Sequence, residues 1–281
     1  MIEHRHVESA PDGVRIHVAE EGQGSPVVLL HGFPEGWLTW RAQMKGLADA
    51  GHRAVALDLR GYGGSDKPRG IAMYKSSRVA NDVANVIRDI GGGPVPVVGH
   101  DWGAIIAYRV AMDHPELVSR LVILNGPHPT QFARVIRESG AQRRRSWYVL
   151  FFQLPFLPDL MLRRKGTLRR IFDGANEDDD VREYESAFAQ PYAATAALNY
   201  YRAGRTRDVP PKTRVIDKDV LVVWGMRDVA LGPECLEGLE EWVPKVRIER
   251  IERAGHFVQH EARSDVTAIL VRELGGDHGR S

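Results

Sequence analysis

The feature that most constrains this chain is a sharp turn between a buried strand and a helix. An apolar run over 94–99 leads into Gly-His-Asp-Trp-Gly at residues 99–103, and a helical pattern of apolar residues covers 103–113. Small residues on both sides of a central polar residue tolerate strained backbone angles and close packing. We therefore predict that Asp101 projects from the carboxyl end of a strand, where α/β proteins bind ligands.

The same alternation of buried strands and amphipathic helices recurs along much of the chain. Strand patterns lie at 26–32, 53–58, 94–99, 120–124, 219–225 and 246–251, and helical patterns at 37–50, 77–90, 103–113 and 262–273. Such alternation is typical of a mostly parallel sheet with helices on both faces. We therefore predict an α/β fold.

The strand pattern is interrupted in the middle of the chain. Between Asn-Gly-Pro at 125–127 and the proline pair at 210–211, the sequence has helical segments rich in arginine and aromatic residues, and no strong strand. We predict an α/β core formed by residues 1–127 and 212–281, with a helical lid at 128–211.

Composition and charge exclude several classes of protein. The chain has 38 basic and 37 acidic residues, so the basic excess that is typical of nucleic-acid binding is missing. A single cysteine, Cys235, excludes an intramolecular disulfide framework and a cysteine-based zinc cluster. There is no secretory signal pattern, and no apolar stretch reaches the roughly 18 residues that a membrane span needs. We expect a cytoplasmic protein, and its oligomeric state stays open, a homo-oligomer included.

Charged runs are concentrated in the predicted lid. Basic runs occupy 143–145, 163–165 and 169–170, and an acidic run occupies 177–180. We interpret them as a solvated surface on which opposite charges compensate each other. Attraction to anions or to a membrane surface is the alternative.

An aspartate at the centre of the turn predicts a particular reaction. Serine attacking a saturated carbon would leave an ether, whereas a carboxylate leaves an ester whose carbonyl water can attack. A carboxylate is also ionised at neutral pH, since its ordinary pKa is about 3.9. Asp101 is therefore suited to displacement at an sp3 carbon. The alternative is a helix-capping aspartate on an unreactive turn.

Hydrolysis of such an ester needs a base and a group that orients it. His256 and Asp228 follow the last two predicted strands, so both are expected at the same edge of the sheet as Asp101. The order nucleophile, acid, base along the chain is the order of this class of hydrolase. We interpret His100 as a packing or hydrogen-bonding residue. Four other histidines are interpreted as surface or structural residues: His4, His6, His114 and His278.

A third motif follows the strand at 26–30. His-Gly-Phe-Pro-Glu at 31–35 can form a tight loop that directs the backbone N–H of Phe33 inward, and a cis bond before Pro34 is compatible with it. Together with the N–H of Trp102, this N–H could form an oxyanion hole. The alternative is a turn that merely ends the strand.

These motifs as a set resemble those of epoxide hydrolases with the α/β-hydrolase fold. The set comprises residues 31–35, Asp-Leu-Arg-Gly-Tyr-Gly-Gly-Ser at 58–65, residues 99–103 and Ala-Gly-His-Phe at 254–257. The resemblance covers nearly the whole chain. Haloalkane dehalogenases share the aspartate and often the neighbouring tryptophan, so the core motifs indicate the fold and the nucleophile but leave the substrate open.

By this resemblance, the predicted lid carries the residues that distinguish an epoxide hydrolase from a dehalogenase. Epoxide hydrolases of the family use two lid tyrosines to donate hydrogen bonds to the epoxide oxygen. Tyr148, in the aromatic segment 146–152, and Tyr201, in Asn-Tyr-Tyr-Arg at 199–202, match them. Tyr200 is the neighbour most easily mistaken for Tyr201. The alternative is that these aromatic residues only pack the lid on the core.

The resemblance thus implies an enzyme that adds water to a small apolar epoxide and releases a vicinal diol. It implies no metal and no organic cofactor. Dehalogenation is the first alternative, but position 33 is phenylalanine where a halide-binding asparagine would be expected, and position 102 lacks the arginine of fluoroacetate dehalogenases. A ligand-binding protein without catalytic activity is the second alternative.

Overall fold

An eight-stranded sheet forms the centre of the molecule in the computed structural model, which describes residues 1–275. The strands are β1 (Glu3–Ser9), β2 (Val14–Glu21), β3 (Pro26–Leu30), β4 (Arg53–Leu57), β5 (Val95–His100), β6 (Val118–Leu124), β7 (Asp219–Gly225) and β8 (Val246–Ile251). Their spatial order is β1-β2-β4-β3-β5-β6-β7-β8. The pairs β1–β2 and β2–β4 are antiparallel, and the other neighbours are parallel. The predicted mostly parallel sheet is confirmed.

Two strands were not predicted from the sequence. β1 and β2 form an antiparallel hairpin at one edge of the sheet, and Val14 follows the turn that joins them. Most side chains of β1 are exposed or half-buried histidine, arginine and glutamate. Because few of them are buried, the strand lacks the apolar run that identified the other strands.

Within residues 1–275, twelve α-helices surround this sheet. They are α1 (Arg41–Asp49), α2 (Ser76–Asp89), α3 (Trp102–Asp113), α4 (Pro129–Glu138), α5 (Gly140–Arg145), α6 (Trp147–Phe151), α7 (Leu157–Leu162), α8 (Thr167–Phe172), α9 (Asp178–Ala189), α10 (Ala193–Ala203), α11 (Val258–Glu261) and α12 (Arg263–Leu274). Among residues 1–275, no helix has the length and apolar character needed to cross a membrane.

Helices cover both faces of the sheet because successive side chains of each strand point to opposite faces. Val28 and Leu30 of β3 pack with side chains of α2 and α3. Val27 and Leu29 pack on the other face with side chains of α1 and α12. Burying each such side chain contributes about 1.5–3 kcal/mol, and the two clusters hold the sheet rigid beneath its carboxyl edge.

Seven helices, α4 to α10, lie between β6 and β7, where the sequence pattern predicted a helical segment. Several prolines and glycines of this segment lie at helix ends: Pro155 precedes α7, Gly166 precedes α8, and Pro191 separates α9 from α10, whereas Pro158 lies in the first turn of α7. The division into a core and a lid remains an interpretation of this arrangement. Residues 276–281 of the predicted core, including His278, lie outside the described residues.

Candidate active site

The turn between β5 and α3 has the strained geometry that its sequence predicts. Asp101 has φ 49° and ψ −115°, a conformation that non-glycine residues adopt rarely. A Cβ atom at Gly99 would overlap the carbonyl oxygen of Gly103, and one at Gly103 would overlap that of Leu30. The two glycines therefore permit close packing of the turn, which holds Asp101 at the carboxyl edge of the sheet.

The loop after β3 reaches the carboxylate of Asp101. The backbone N–H of Phe33 donates a hydrogen bond to Oδ2 of Asp101 at 2.9 Å, and the bond between Phe33 and Pro34 is cis. A Cβ at Gly32 would lie 2.6 Å from Cβ of Asp101, so this approach requires glycine. Trp102 begins α3, where the first N–H groups have no partner within the helix. The structure therefore places the Phe33 donor at this carboxylate, and the role of the Trp102 N–H remains a prediction.

His256 and Asp228 form a hydrogen-bonded pair near Asp101. Nδ1 of His256 lies 2.8 Å from Oδ2 of Asp228. The other carboxylate oxygen, Oδ1, accepts hydrogen bonds from the N–H groups of Ala230 at 2.7 Å and Leu231 at 2.9 Å. Asp228 is therefore held in one orientation, and it fixes the imidazole ring in turn.

Asn125 completes the anchoring of Asp228, and sequence reasoning missed this role. Its Nδ2 donates to Oδ2 of Asp228 at 2.8 Å, while its Oδ1 accepts from the N–H of Gly225 at 2.8 Å. The available signal was its position directly after β6, at the same sheet edge as Asp101 and Asp228. From the sequence, Asn125 marked only the point at which the strand pattern is interrupted.

The pKa values of Asp228 and His256 are shifted in opposite directions. Burial favours neutral Asp228, but the charge and hydrogen bond of His256 outweigh it and lower the pKa of the carboxyl group. Burial also favours neutral His256, but Asp228, with smaller contributions from Asp101 and Glu35, raises the pKa of the imidazole to about 9. The raised pKa of His256 therefore favours an imidazolium near neutral pH, paired with the carboxylate of Asp228.

Two tyrosines face Asp101 from the helical segment. Tyr148 lies on α6 and Tyr201 on α10, with ring centroids 6.0 Å apart. The ring of Tyr201 packs against Phe33 at 5.4 Å and Trp102 at 5.1 Å. Burial, followed by the charge of Asp101, raises the pKa of both phenols above the ordinary value. Both hydroxyl groups therefore stay protonated and can donate hydrogen bonds.

Tyr200, the neighbour of Tyr201, has a different environment. Its hydroxyl group donates to the carbonyl oxygen of Arg60 at 2.8 Å, and its ring packs against Tyr62 and Tyr74. Tyr200 is fully buried among these residues and does not line the cavity above Asp101. It anchors α10 to the loop after β4.

The predicted residues meet around one mainly apolar cavity of about 350 Å³. Its lining consists of Phe33, Asp101, Trp147, Tyr148, Phe151, Phe152, Met161, Ile171, Tyr201, Val229, Ala230, His256 and Phe257. Asp228 lies behind His256, and Trp102 lies behind Tyr201. A few polar groups converging in an apolar cavity are typical of a site for a small molecule.

A buried polar network lies behind the cavity. His100 places Nδ1 3.0 Å from Oε2 of Glu35 and Nε2 2.9 Å from the carbonyl oxygen of His256. His260 also contacts Glu35, at 2.9 Å. Burial alone would raise the pKa of Glu35, but the two histidines lower it. His100 is a hydrogen-bonding residue, as interpreted from the sequence, whereas its partner Glu35, and the contact of Glu35 with His260, were missed.

No candidate metal site accompanies this cavity within the described part of the chain. Among residues 1–275, no group of three or more histidine, cysteine, aspartate or glutamate side chains is arranged to bind a metal ion. His4 and His6 lie on the edge strand β1, and His114 follows α3, so none of them reaches the cavity.

Comparison with known proteins gives a consistent result. A family model described as alpha/beta hydrolase fold matches residues 25–262. The chain is 34% identical over 281 residues to "Epoxide hydrolase 2" of Caenorhabditis elegans, covering 95% of this chain and 79% of that protein. It is 35% identical over 272 residues to "AB hydrolase superfamily protein YfhM" of Bacillus subtilis, covering 94% and 95%.

Solved structures agree with this comparison. An epoxide hydrolase from Bacillus megaterium, crystallised with an inhibitor, superposes with a TM-score of 0.86 at 32% identity. The match covers 95% of this chain and 99% of that one. The chain therefore belongs to the α/β-hydrolase fold family, within its group of epoxide hydrolases.

Proposed function

We propose that this protein hydrolyses a small apolar epoxide to a vicinal diol through an ester formed on Asp101. The observation that carries the proposal is the pair Tyr148 and Tyr201, facing Asp101 across an apolar cavity. An epoxide needs a nucleophile at carbon and a donor at oxygen on opposite sides of the bond that breaks. This cavity offers both, and the relatives from Caenorhabditis elegans and Bacillus megaterium are named epoxide hydrolases.

In the first half-reaction, Tyr148 and Tyr201 donate hydrogen bonds to the epoxide oxygen while Asp101 attacks a ring carbon. The ring carbon–oxygen bond breaks, the bond from carbon to the Asp101 oxygen forms, and the released oxygen takes a proton from tyrosine. The raised pKa of both phenols keeps that proton available until the oxygen becomes a strong base.

Formation of the ester prepares His256 for the second half-reaction. The charge of Asp101 contributes to the raised pKa of His256, and esterification removes that charge. The imidazolium can then return a proton to the tyrosinate and become a neutral base. This sequence reconciles a resting pKa of about 9 with general-base catalysis near neutral pH.

In the second half-reaction, neutral His256 takes a proton from water as the oxygen of that water attacks the ester carbonyl. The N–H groups of Phe33 and Trp102 stabilise the oxyanion. The diol oxygen leaves with a proton from His256, and the carboxylic acid of Asp101 then returns a proton to the imidazole. Asp228 and Asn125 are positioning residues, since they orient His256 without touching the substrate.

We further propose that residues 128–211 act as a lid supplying the oxygen-binding tyrosines, and that the enzyme works in the cytoplasm. The steps above need neither a metal ion nor an organic cofactor, because side chains supply the nucleophile, the base and the donors.

Two experiments test the proposal. Purified protein is incubated with styrene oxide and with 1-bromobutane, and diol and bromide are measured together. Diol without bromide is expected, whereas bromide without diol would indicate a dehalogenase and refute the role of the tyrosines. A single turnover in ¹⁸O-labelled water then tests the ester: the first diol should carry an unlabelled oxygen from Asp101. A labelled oxygen at the attacked carbon would mean that water attacks the epoxide directly.

A further inference from the structure

An exposed apolar surface lies on α6, α7 and the turn between them. Six large apolar side chains within the segment 147–160 are 45–84% exposed: Trp147, Leu150, Leu154, Phe156, Leu157 and Leu160. Among the described residues, the other large hydrophobic side chains this exposed are spread over the rest of the chain. Single exposed apolar residues are ordinary, but a concentrated group marks a surface that contacts something else. We call it the α6–α7 apolar surface.

Phe156 is the extreme member of this surface. Its side chain is 84% exposed, and its backbone has φ 61° directly before α7. A bulky residue in the left-handed region is strained, and strain of this kind persists where function requires it. Within this chain, the strained turn exposes an aromatic ring instead of burying it.

The charge around the α6–α7 apolar surface is mostly basic. Residues 138–173 include eight arginine or lysine residues and three acidic residues, Glu138, Asp159 and Asp173. Asp159 pairs with Arg202, outside this segment. The exposed residues Arg143 and Arg144 precede the apolar surface, and a basic run at 163–165 follows it.

The neighbouring acidic run pairs with only one of these basic residues. Its four members pair as follows: Glu177 with Arg263, Asp178 with Arg169, Asp179 with Arg182, and Asp180 with Arg41. Arg145 is also paired, with Glu234 outside the run. Compensation is therefore partial: among the ion pairs of the described residues, none involves the exposed residues Arg143, Arg144 and 163–165.

The cavity above Asp101 opens beside this surface. Trp147 and Val229 line the cavity and are also 64% and 81% exposed, so they mark its mouth. Trp147 belongs to both the cavity and the α6–α7 apolar surface. Whatever covers the surface therefore lies at the opening of the cavity.

We propose that the α6–α7 apolar surface and its basic flanks dock on a lipid membrane that contains anionic headgroups. Segments that bind at a membrane interface typically carry apolar side chains bordered by arginine and lysine. The apolar groups enter the acyl boundary, and the cations contact the headgroups. A second copy docked face to face would bring two basic surfaces together. Nucleic acid would leave the apolar side chains in water.

Docking places the cavity mouth where apolar molecules are concentrated. An epoxide dissolved in the lipid could then enter between Trp147 and Val229 without crossing bulk water. This consequence for substrate delivery rests on the proposed epoxide hydrolysis, whereas the docking itself does not.

Co-sedimentation with vesicles tests the docking. The full chain is mixed with phosphatidylcholine vesicles that contain about one-third phosphatidylglycerol, and with vesicles of pure phosphatidylcholine. We expect binding to the anionic vesicles and little to the neutral ones. Each basic residue near an anionic surface strengthens binding by a factor of about five, so the triple variant Arg163→Gln/Arg164→Gln/Lys165→Gln should bind about a hundred-fold more weakly.

Matched variants distinguish binding through the α6–α7 apolar surface from general attraction of a basic protein to anionic lipid. The control Arg205→Gln/Arg207→Gln/Arg214→Gln removes three exposed basic residues between α10 and β7 and should bind nearly as well as the wild type. Phe156→Ser/Leu160→Ser should lose binding while its charge is unchanged. Equal loss in the control, or no loss in the serine variant, would overturn the proposal, as would failure of the wild type to bind.

Two further readouts keep this proposal distinct from the proposed activity. The Asp101→Asn variant should bind vesicles like the wild type, because docking does not depend on chemistry. Light scattering without lipid should give the same mass for the wild type and Phe156→Ser/Leu160→Ser. A lower mass for the serine variant, together with absent vesicle binding, would assign the surface to self-association instead.

Discussion

Adjacent tyrosines on α10 offer a sharp test of the site. The variants Tyr201→Phe and Tyr200→Phe each lose one phenol hydroxyl group, so the same chemical change is made at two neighbouring positions. Tyr201 faces the cavity and Asp101, whereas Tyr200 donates to the carbonyl oxygen of Arg60 at 2.8 Å. The two substitutions should therefore affect different properties of the enzyme.

The expected magnitudes differ as well. A donor to the oxygen that gains charge in a transition state is worth about 2.7–4 kcal/mol, so Tyr201→Phe should slow ester formation by a factor of about 10² to 10³. Loss of the buried hydrogen bond of Tyr200 costs about 0.5–1.5 kcal/mol of stability. For a chain of this length, that corresponds to a fall in Tm of about 2 °C.

Single-turnover kinetics and thermal unfolding measure the two effects. Excess enzyme is mixed with styrene oxide and quenched at intervals, and the ester on Asp101 is quantified by mass spectrometry. Unchanged ester formation in Tyr201→Phe would remove it from the oxygen-binding pair. Slow ester formation in Tyr200→Phe, with its Tm unchanged, would refute the assignment of the two neighbours.

Three more predictions follow from the geometry around His256. His256→Gln should form the ester and then stall, so its mass should increase after one turnover, and no trapped ester would contradict the role of the base. Asn125→Ala removes the 2.8 Å hydrogen bond to Asp228. Ester hydrolysis should then slow about ten-fold, while ester formation is unchanged. Equal slowing of both steps would contradict a positioning role. The raised pKa of His256 stabilises the fold below pH 6.5, and this stabilisation is lost as pH rises towards 9. Chemical unfolding over this pH range should therefore show the free energy of unfolding of the wild type falling relative to that of His256→Gln. The same pH dependence in both proteins would refute the shift.

Much of the fold was predictable because its signals are local. Five of the six predicted strands, including β5 and β7, contain short apolar runs, β8 alternates apolar and charged residues, and the helices between the strands have clear periodicity. The turn at Asp101 was equally predictable, since Gly99 and Gly103 flank it in the sequence. Tyr148 and Tyr201 were identified through resemblance to a family, because nothing in their local sequence separates a donor from a packing residue.

What the sequence by itself determined is therefore the strand pattern, the strained turn and the types of residue that carry the chemistry. Tertiary structure decided which side chains meet: Asn125 reaches Asp228 across 103 positions, and Glu35 reaches His260 across 225. It also separated Tyr201 from Tyr200 and paired most of the acidic run at 177–180 with arginines other than those of the basic runs. The reason is physical: strand and turn preferences depend on neighbours along the chain, whereas pairing, burial and charge compensation depend on groups that folding alone brings together.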